Sequence, residues 1–342
     1  MKHLSLPSQL VLRHHERFTQ HTLLVVNAPD PEIADHLPVV AHWQWHEGYA
    51  SRWQHQQHEV AHHFGVAPPT TTTAQAALVW LPKEKPLTNY ILDALRSILP
   101  QGAPIWLVGE NRGGIKSIHK QFTTAVSPAQ KVAIGNHSLL ICTRVAEPNP
   151  AFNYQDYFEY CDLPQPGQAT PLKLASLPGV FAFPSIDQGS AMLLEHLPHW
   201  HQGEVLDFAC GHGVLGAWLN RQAPELKVTY LDVSALALAA TERTLALNHL
   251  TGTCIASEGL QASLGQFDYV VSHPPFHTGV ATDYMIGQQF LQQVSQHLRH
   301  RGELWLVANR FLPWPELIEQ AFGHCDRIAD DNKFAVYRAT RT

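Results

Sequence analysis

A glycine turn flanked by two strand-end carboxylates is the first sign of chemistry. Val205-Leu206-Asp207-Phe208-Ala209-Cys210-Gly211-His212-Gly213-Val214-Leu215-Gly216 reads as a short apolar strand, an acid near its end, a tight turn and the start of a helix. Gly211 and Gly213 lack a Cβ, so the backbone can turn sharply and a ligand can come close. The run from Gly211 to Gly216 satisfies G-x-G-x-x-G, which is a weak signal alone. Asp232 ends the following strand, about twenty residues on, where a carboxylate can take a ribose diol. Nicotinamide enzymes and S-adenosylmethionine (SAM) enzymes both use such an acid, and a helix N-cap before Ser234 is the plain alternative, so the cofactor stays open here.

A second block, Val270-Val271-Ser272-His273-Pro274-Pro275-Phe276-His277, also follows a strand and resembles the [N/D]-P-P-[F/Y] motif of amino-directed SAM methyltransferases. An exocyclic amine has its lone pair delocalised into its ring and is a poor nucleophile. Two acceptors that hold its N–H groups favour a pyramidal nitrogen and aim the lone pair at an electrophile. Pro274 can offer its backbone carbonyl, and His273, while neutral, one ring nitrogen. Pro275 stiffens the loop, and Phe276 can stack on an extruded base. The alternative is a Pro-Pro surface turn. The resemblance turns the cofactor reading towards SAM. A third pattern, His58-Glu59-Val60-Ala61-His62, matches H-E-x-x-H, which on a helix puts two zinc ligands and a base on one face. Residues 51–64 contain no Pro or Gly, so a helix is expected there. In a chain with 23 histidines a chance match on a solvated helix is the reading kept, and no metal is expected.

These blocks need a sheet to hold them. In the first half, apolar strands are expected at 22–26, 76–80, 104–108 and 138–142, with helices at 13–18 and 87–99. The stretch 147–189 is rich in Pro and Gly and reads as a connection. In the second half, strands are expected at 204–206, 227–231, 253–256, 269–272, 303–307 and 334–338, with helices at 189–197, 235–248 and 287–298. This alternation predicts an α/β fold with a mostly parallel, doubly wound sheet. The halves echo each other. Ile105-Trp106-Leu107-Val108 resembles Leu304-Trp305-Leu306-Val307, and Trp80-Leu81-Pro82 stands where Ser272-His273-Pro274 stands. The pattern predicts two tandem Rossmann-like domains: 1–160 without the glycine turn or a cofactor site, 161–188 as a linker, and 189–342 as the catalytic domain.

Bulk composition sets bounds on the rest. The chain has 342 residues, 45% hydrophobic and 15% charged, with a formal net charge of −6. That is enough apolar residue for two cores and too little charge for a disordered chain. Any nucleic-acid contact must then be a local patch. Five cysteines with no C-x-x-C pair read as reduced thiols. There is no signal-peptide core and no apolar run near the ~20 residues that span a membrane. A cytoplasmic monomer without membrane contact is expected.

Over nearly its whole length the chain resembles the ribosomal RNA small subunit methyltransferase C family. The matching stretches are Val11-Leu12-Arg13-His14, Trp80-Leu81-Pro82-Lys83, Val108-Gly109-Glu110-Asn111-Arg112, Leu177-Pro178-Gly179-Val180-Phe181, Asp187-Gln188-Gly189-Ser190, the glycine turn, Asp232-Val233-Ser234, His273-Pro274-Pro275-Phe276-His277-Thr278-Gly279 and Ala308-Asn309-Arg310-Phe311-Leu312-Pro313. The resemblance implies two class I methyltransferase domains, only the second binding SAM, and methylation of guanine N2 in 16S ribosomal RNA. It implies that Asp207, Gly211 and Gly213 hold the methionine end of SAM, Asp232 the ribose, and Val233 and Glu258 the adenine. His273, Pro274 and Phe276 would form the target-base end. Lys83, Lys85, Arg112, Lys116 and Arg310 follow strand ends and could neutralise RNA phosphates. Ala209 and His273 stand where the family has glycine and asparagine. The alanine is tolerated if residue 209 has negative φ. Alternatives left open are a silent rRNA-binding assembly factor, and amino methylation of 23S rRNA, adenine N6 or a protein glutamine.

Overall fold

The computed structural model describes residues 4–274 and 281–342, with the backbone alone at 281–284. The chain divides into two compact units, Met1–Tyr157 and Phe158–Thr342.

In the first unit the strands are β1 (Leu23–Val26), β2 (Val39–Gln44), β3 (Ala61–Phe64), β4 (Ala76–Trp80), β5 (Pro104–Glu110), β6 (Gln130–Gly135) and β7 (Ser138–Arg144), in the order β3-β2-β1-β4-β5-β7-β6. Five run parallel, while β7 is antiparallel to β5 and β6 to β7. The central strands β1 and β4 are buried along their whole length, as a parallel sheet covered on both faces requires. The helices are α1 (Leu6–Arg13), α2 (Glu47–Gln56) and α3 (Lys85–Ile98). α3 turns Leu87, Ile91 and Leu95 into the core, the spacing of one helical face.

Two expectations fail in this unit. The helix expected at 13–18 lies earlier: α1 is capped by Ser5, whose Oγ accepts from the Ser8 N–H, and only a 3₁₀ turn follows at His15–Arg17. The helix expected over 51–64 stops at Gln56, and His62 instead pairs with His42 in a parallel ladder. H-E-x-x-H therefore spans a turn and an edge strand, with its histidines on no common helix face. Among the described residues no group of three or more His, Cys, Asp or Glu side chains is placed to hold a metal.

The second unit repeats the topology. Its strands are β8 (Glu159–Leu163), β9 (Leu172–Ser176), β10 (Gly203–Phe208), β11 (Leu226–Asp232), β12 (Thr253–Ala256), β13 (Phe267–Ser272), β14 (Leu298–Asn309), β15 (Asp326–Asp330) and β16 (Phe334–Thr340). The main sheet has the order β12-β11-β10-β13-β14-β16-β15, position for position that of the first unit. Its helices are α4 (Gln188–His196), α5 (Val214–Gln222), α6 (Ala235–Leu247), α7 (Ala281–His297) and α8 (Trp314–Phe322). Residues 161–188, expected as a linker, carry most of a β8–β9 hairpin that belongs to this unit. β9 docks on α6: Thr244 Oγ1 accepts from the Ala175 N–H at 3.0 Å and Asn248 brackets Lys173 through N–H and C=O. This second packing face explains why α6 is apolar almost all round.

Among the described residues no helix is long and apolar enough to cross a membrane.

Candidate functional site

Strand order in the second unit reverses at β10, with β11 on one side and β13 on the other. Open α/β sheets bind ligands in the crevice outside the carboxyl ends of the strands at such a point. Asp207, the glycine turn, Asp232, Glu258, His273 and Pro274 all follow or end β10, β11, β12 or β13, so the structure brings them to that one edge.

The three glycines of the turn act differently. Gly213, at φ 75°, lies so close to α6 that an added Cβ would stand 2.8 Å from Thr241 Cγ2, and at Gly216 it would stand 2.4 Å from Tyr230 Cε1. These two permit helix and strand packing. Gly211, at φ 57°, has nothing within 4 Å of its would-be Cβ, so it faces open space that a ligand can enter. Thr241, which sequence reasoning missed, donates its hydroxyl to the Gly211 carbonyl at 3.0 Å and buttresses the turn. Asp232 holds the turn from the other side. Its Oδ2 accepts from the Gly211 N–H and its Oδ1 from the Ser234 N–H, each at 2.9 Å. Burial raises its carboxyl above the usual range, against those backbone donors. His212 is buried, which pulls its imidazole down to about 4 and keeps it neutral.

Ala209 has φ 56°, so the condition under which alanine is tolerated there, a negative φ, is not met. A Cβ in the left-handed region costs roughly 1–2 kcal/mol, partly offset in a glycine variant by greater freedom of the unfolded chain. Ala209→Gly should therefore stabilise the second unit by about 0.5–1 kcal/mol, read as a higher midpoint in urea. An unchanged or lower midpoint would contradict the strain.

Asp207 is fully buried. Its Oδ2 accepts from the Gly216 N–H at 2.8 Å, while Oδ1 has no protein partner. Burial, with a smaller contribution from the Asp232 charge, pushes the carboxyl up from 3.8 to about 7. The unfolded chain releases this proton near pH 4 and the folded chain near 7, so Asp207 costs the ligand-free protein stability progressively as pH rises between those values. At about 1.4 kcal/mol per pH unit the cost reaches about 4 kcal/mol. Asp207→Asn should flatten the decline in unfolding free energy between pH 4.5 and 7.5 relative to the unsubstituted chain; parallel curves would contradict it.

His273 is buried, and its Nδ1 lies 3.0 Å from Ser190 Oγ and 3.3 Å from Asp187 Oδ2. Asp187 also caps α4, its Oδ2 accepting from the Gly189 and Ser190 N–H groups. A lone pair on Nδ1 would face a carboxylate, so the proton sits on Nδ1 and the lone pair on Nε2. Edge-on contacts from Phe181 and Phe334, with centroids at 5.3 and 5.7 Å, fix the ring. Ser272 Oγ donates to the Phe208 carbonyl at 2.8 Å and ties the end of β13 to the end of β10. Phe276 lies outside the described residues. Val233 is half-buried and Glu258 exposed.

Of the expected RNA contacts, Lys83 is exposed between β4 and α3, Lys85 is exposed at the first position of α3, and Arg112 and Lys116 are exposed after β5. All four thus follow carboxyl ends of the first unit's sheet. Arg310, in the second unit, is already held by Asp330 at 3.7 Å and the Asp331 carbonyl at 3.0 Å.

The strand order, the glycine turn and the strand-end acids together form a cofactor cradle, and comparison with known proteins makes it that of a methyltransferase. Residues 171–338 match the family model "Methyltransferase small domain", and residues 8–160 match "Methyltransferase small domain N-terminal". The chain is 41% identical over 334 residues to Ribosomal RNA small subunit methyltransferase C of Pseudomonas entomophila, covering 98% of each chain. It is 38% identical over 322 residues to the protein of that name from Idiomarina loihiensis, covering 93% of each. The chain belongs to the ribosomal RNA small subunit methyltransferase C family. In fold it is similar to a T. thermophilus 16S rRNA N2 methyltransferase solved with AdoMet and guanosine, at a TM-score of 0.82, 20% identity, and coverage of 99% of this chain and 93% of that one.

Proposed function

We propose that the second unit methylates a guanine N2 amine in 16S rRNA of the small ribosomal subunit, using SAM, in the cytoplasm. The observation that carries this is the open cradle at Gly211 beside the Asp232 carboxylate, one strand from a buried, oriented His273-Pro274 pair. The cradle fits the cofactor. A Cβ at Gly211 would project into space a ligand can fill, and Asp207 Oδ1 is a buried acceptor with no protein partner. SAM, when bound, supplies an electrophilic methyl group.

The chain's own residues bind and orient. Asp232 accepts from the ribose hydroxyls with the lone pairs that remain on its two oxygens, Val233 and Glu258 flank the adenine, and the Gly211–Gly213 turn with Asp207 takes the methionine end. His273 Nε2 and the Pro274 carbonyl accept the two N–H groups of the guanine amine, which localises its lone pair on nitrogen, and Phe276 stacks on the base. Once methylated the amine is acidic enough to lose its proton to water, so no strong base is required. Lys83, Lys85, Arg112, Lys116 and Arg310 contribute phosphate contacts. The monomeric chain works with one cofactor site, since the first unit lacks the glycine turn.

Calorimetric titration of the full chain with SAM tests the cofactor half of the proposal. One site per chain is expected. Two sites, or none, would overturn it.

A further inference from the structure

Duplication makes the two units comparable element by element, and one element differs in a telling way. Between β14 and β15 the second unit has α8, whose Trp314, Leu317 and Ile318 are buried. Between β5 and β6 the first unit has only a 3₁₀ segment, Ile115–Gln121. Sheet surface that a full helix would cover is left open there as a groove of about 580 Å³. Ile115, Leu139 and Ile141 form its floor, and Ile134 beside them is 58% exposed. Two lysines, Lys116 on the 3₁₀ segment and Lys131 on β6, line the same groove.

We infer that this groove is a second RNA site, which takes an unpaired nucleotide of the substrate. Its base lies on the apolar floor and its flanking phosphates meet Lys116 and Lys131. The inference rests on the proposed rRNA substrate. Charge selects the occupant: in a chain of net charge −6, two exposed lysines line an apolar slot, and a polyanion with flat apolar bases matches both features. The first unit, without a cofactor turn, then has a binding task of its own. The groove and the SAM cradle belong to different units, so the groove should set RNA affinity and leave cofactor affinity alone.

The test uses the full chain and a fluorescent single-stranded 16S rRNA fragment, titrated at several salt concentrations. Lys116→Ala/Lys131→Ala should weaken binding about tenfold and lower the slope of log affinity against log salt by about 1.4, the loss of two single-strand phosphate contacts. Ile134→Asp, at an exposed position the fold should tolerate, should weaken binding as well. SAM affinity should stay within twofold in all variants. Unchanged RNA affinity and slope would overturn the inference. So would variants that bind naked RNA normally but lose affinity for assembled subunits, which would assign the groove to a ribosomal protein. Methyl transfer by the unsubstituted chain is measured in parallel. Its absence counts against the proposed function, whereas transfer by that chain combined with unaltered binding in the double variant counts against the groove alone.

Discussion

His273→Ala should lower the rate of methyl transfer about 100-fold, the usual scale for losing one preorganised partner of the transition state, while SAM affinity stays within about threefold. Ground-state guanine N2 shares its lone pair with the ring. An acceptor on each N–H becomes more valuable as the nitrogen pyramidalises, so the loss should fall on kcat more than on KM. His273→Asn should retain most of the rate, because its amide oxygen can accept the same N–H. The two should differ in pH dependence. Protonating the imidazole replaces the Nε2 lone pair with a donor, so the unsubstituted enzyme should lose activity in acid more steeply than the asparagine variant. Asp187 lies 3.3 Å from Nδ1 and favours the proton there in both the neutral and the charged ring. Parallel pH profiles for the unsubstituted enzyme and the His273→Asn variant would sink the acceptor role. A melting curve on each variant separates this from damage to the packing against Phe181 and Phe334.

Asp232→Ala should weaken SAM binding about 100-fold, the scale of losing one or two hydrogen bonds to a charged acceptor. Two effects add. The ribose loses its acceptors, and the Gly211 and Ser234 N–H groups lose the oxygens they now meet at 2.9 Å. The second effect loosens the glycine turn itself, so methyl transfer should fall with binding. Asp232→Asn can keep one backbone bond and one ribose bond, and should lie between the two. Calorimetry gives the affinities directly; an alanine variant that binds SAM as tightly as the parent would remove Asp232 from the site.

Much of this is legible in the sequence alone. The glycine turn is a local device, and its neighbours in sequence are its neighbours in space. The duplication shows because buried parallel strands carry apolar runs: β1 and β4 are apolar throughout, and β5, β10 and β13 have apolar centres. What escapes the sequence has physical reasons. β3 and β15 are edge strands with polar, partly exposed residues, which carry no apolar signal. The β8–β9 hairpin lies in a Pro- and Gly-rich stretch, and only its docking on α6 shows that it belongs to the second unit. The H-E-x-x-H pattern fits a helix by composition, yet ladder pairing with β2 draws His62 into a strand. The left-handed φ of Ala209 leaves no mark on residue type, because alanine there is the departure from the expected glycine. The partners of His273, Asp187 and Ser190, lie more than eighty residues away, so its tautomer can be derived only from the fold.

The most direct test of the proposed activity is transfer of a labelled methyl group from SAM to small ribosomal subunits and to naked 16S rRNA, followed by digestion to nucleosides and mapping of the product. Label is expected in N2-methylguanosine at a single 16S position, absent with Asp232→Ala. Label in N6-methyladenosine, in 23S rRNA or in protein, or no label at all from a chain that binds SAM, would contradict it.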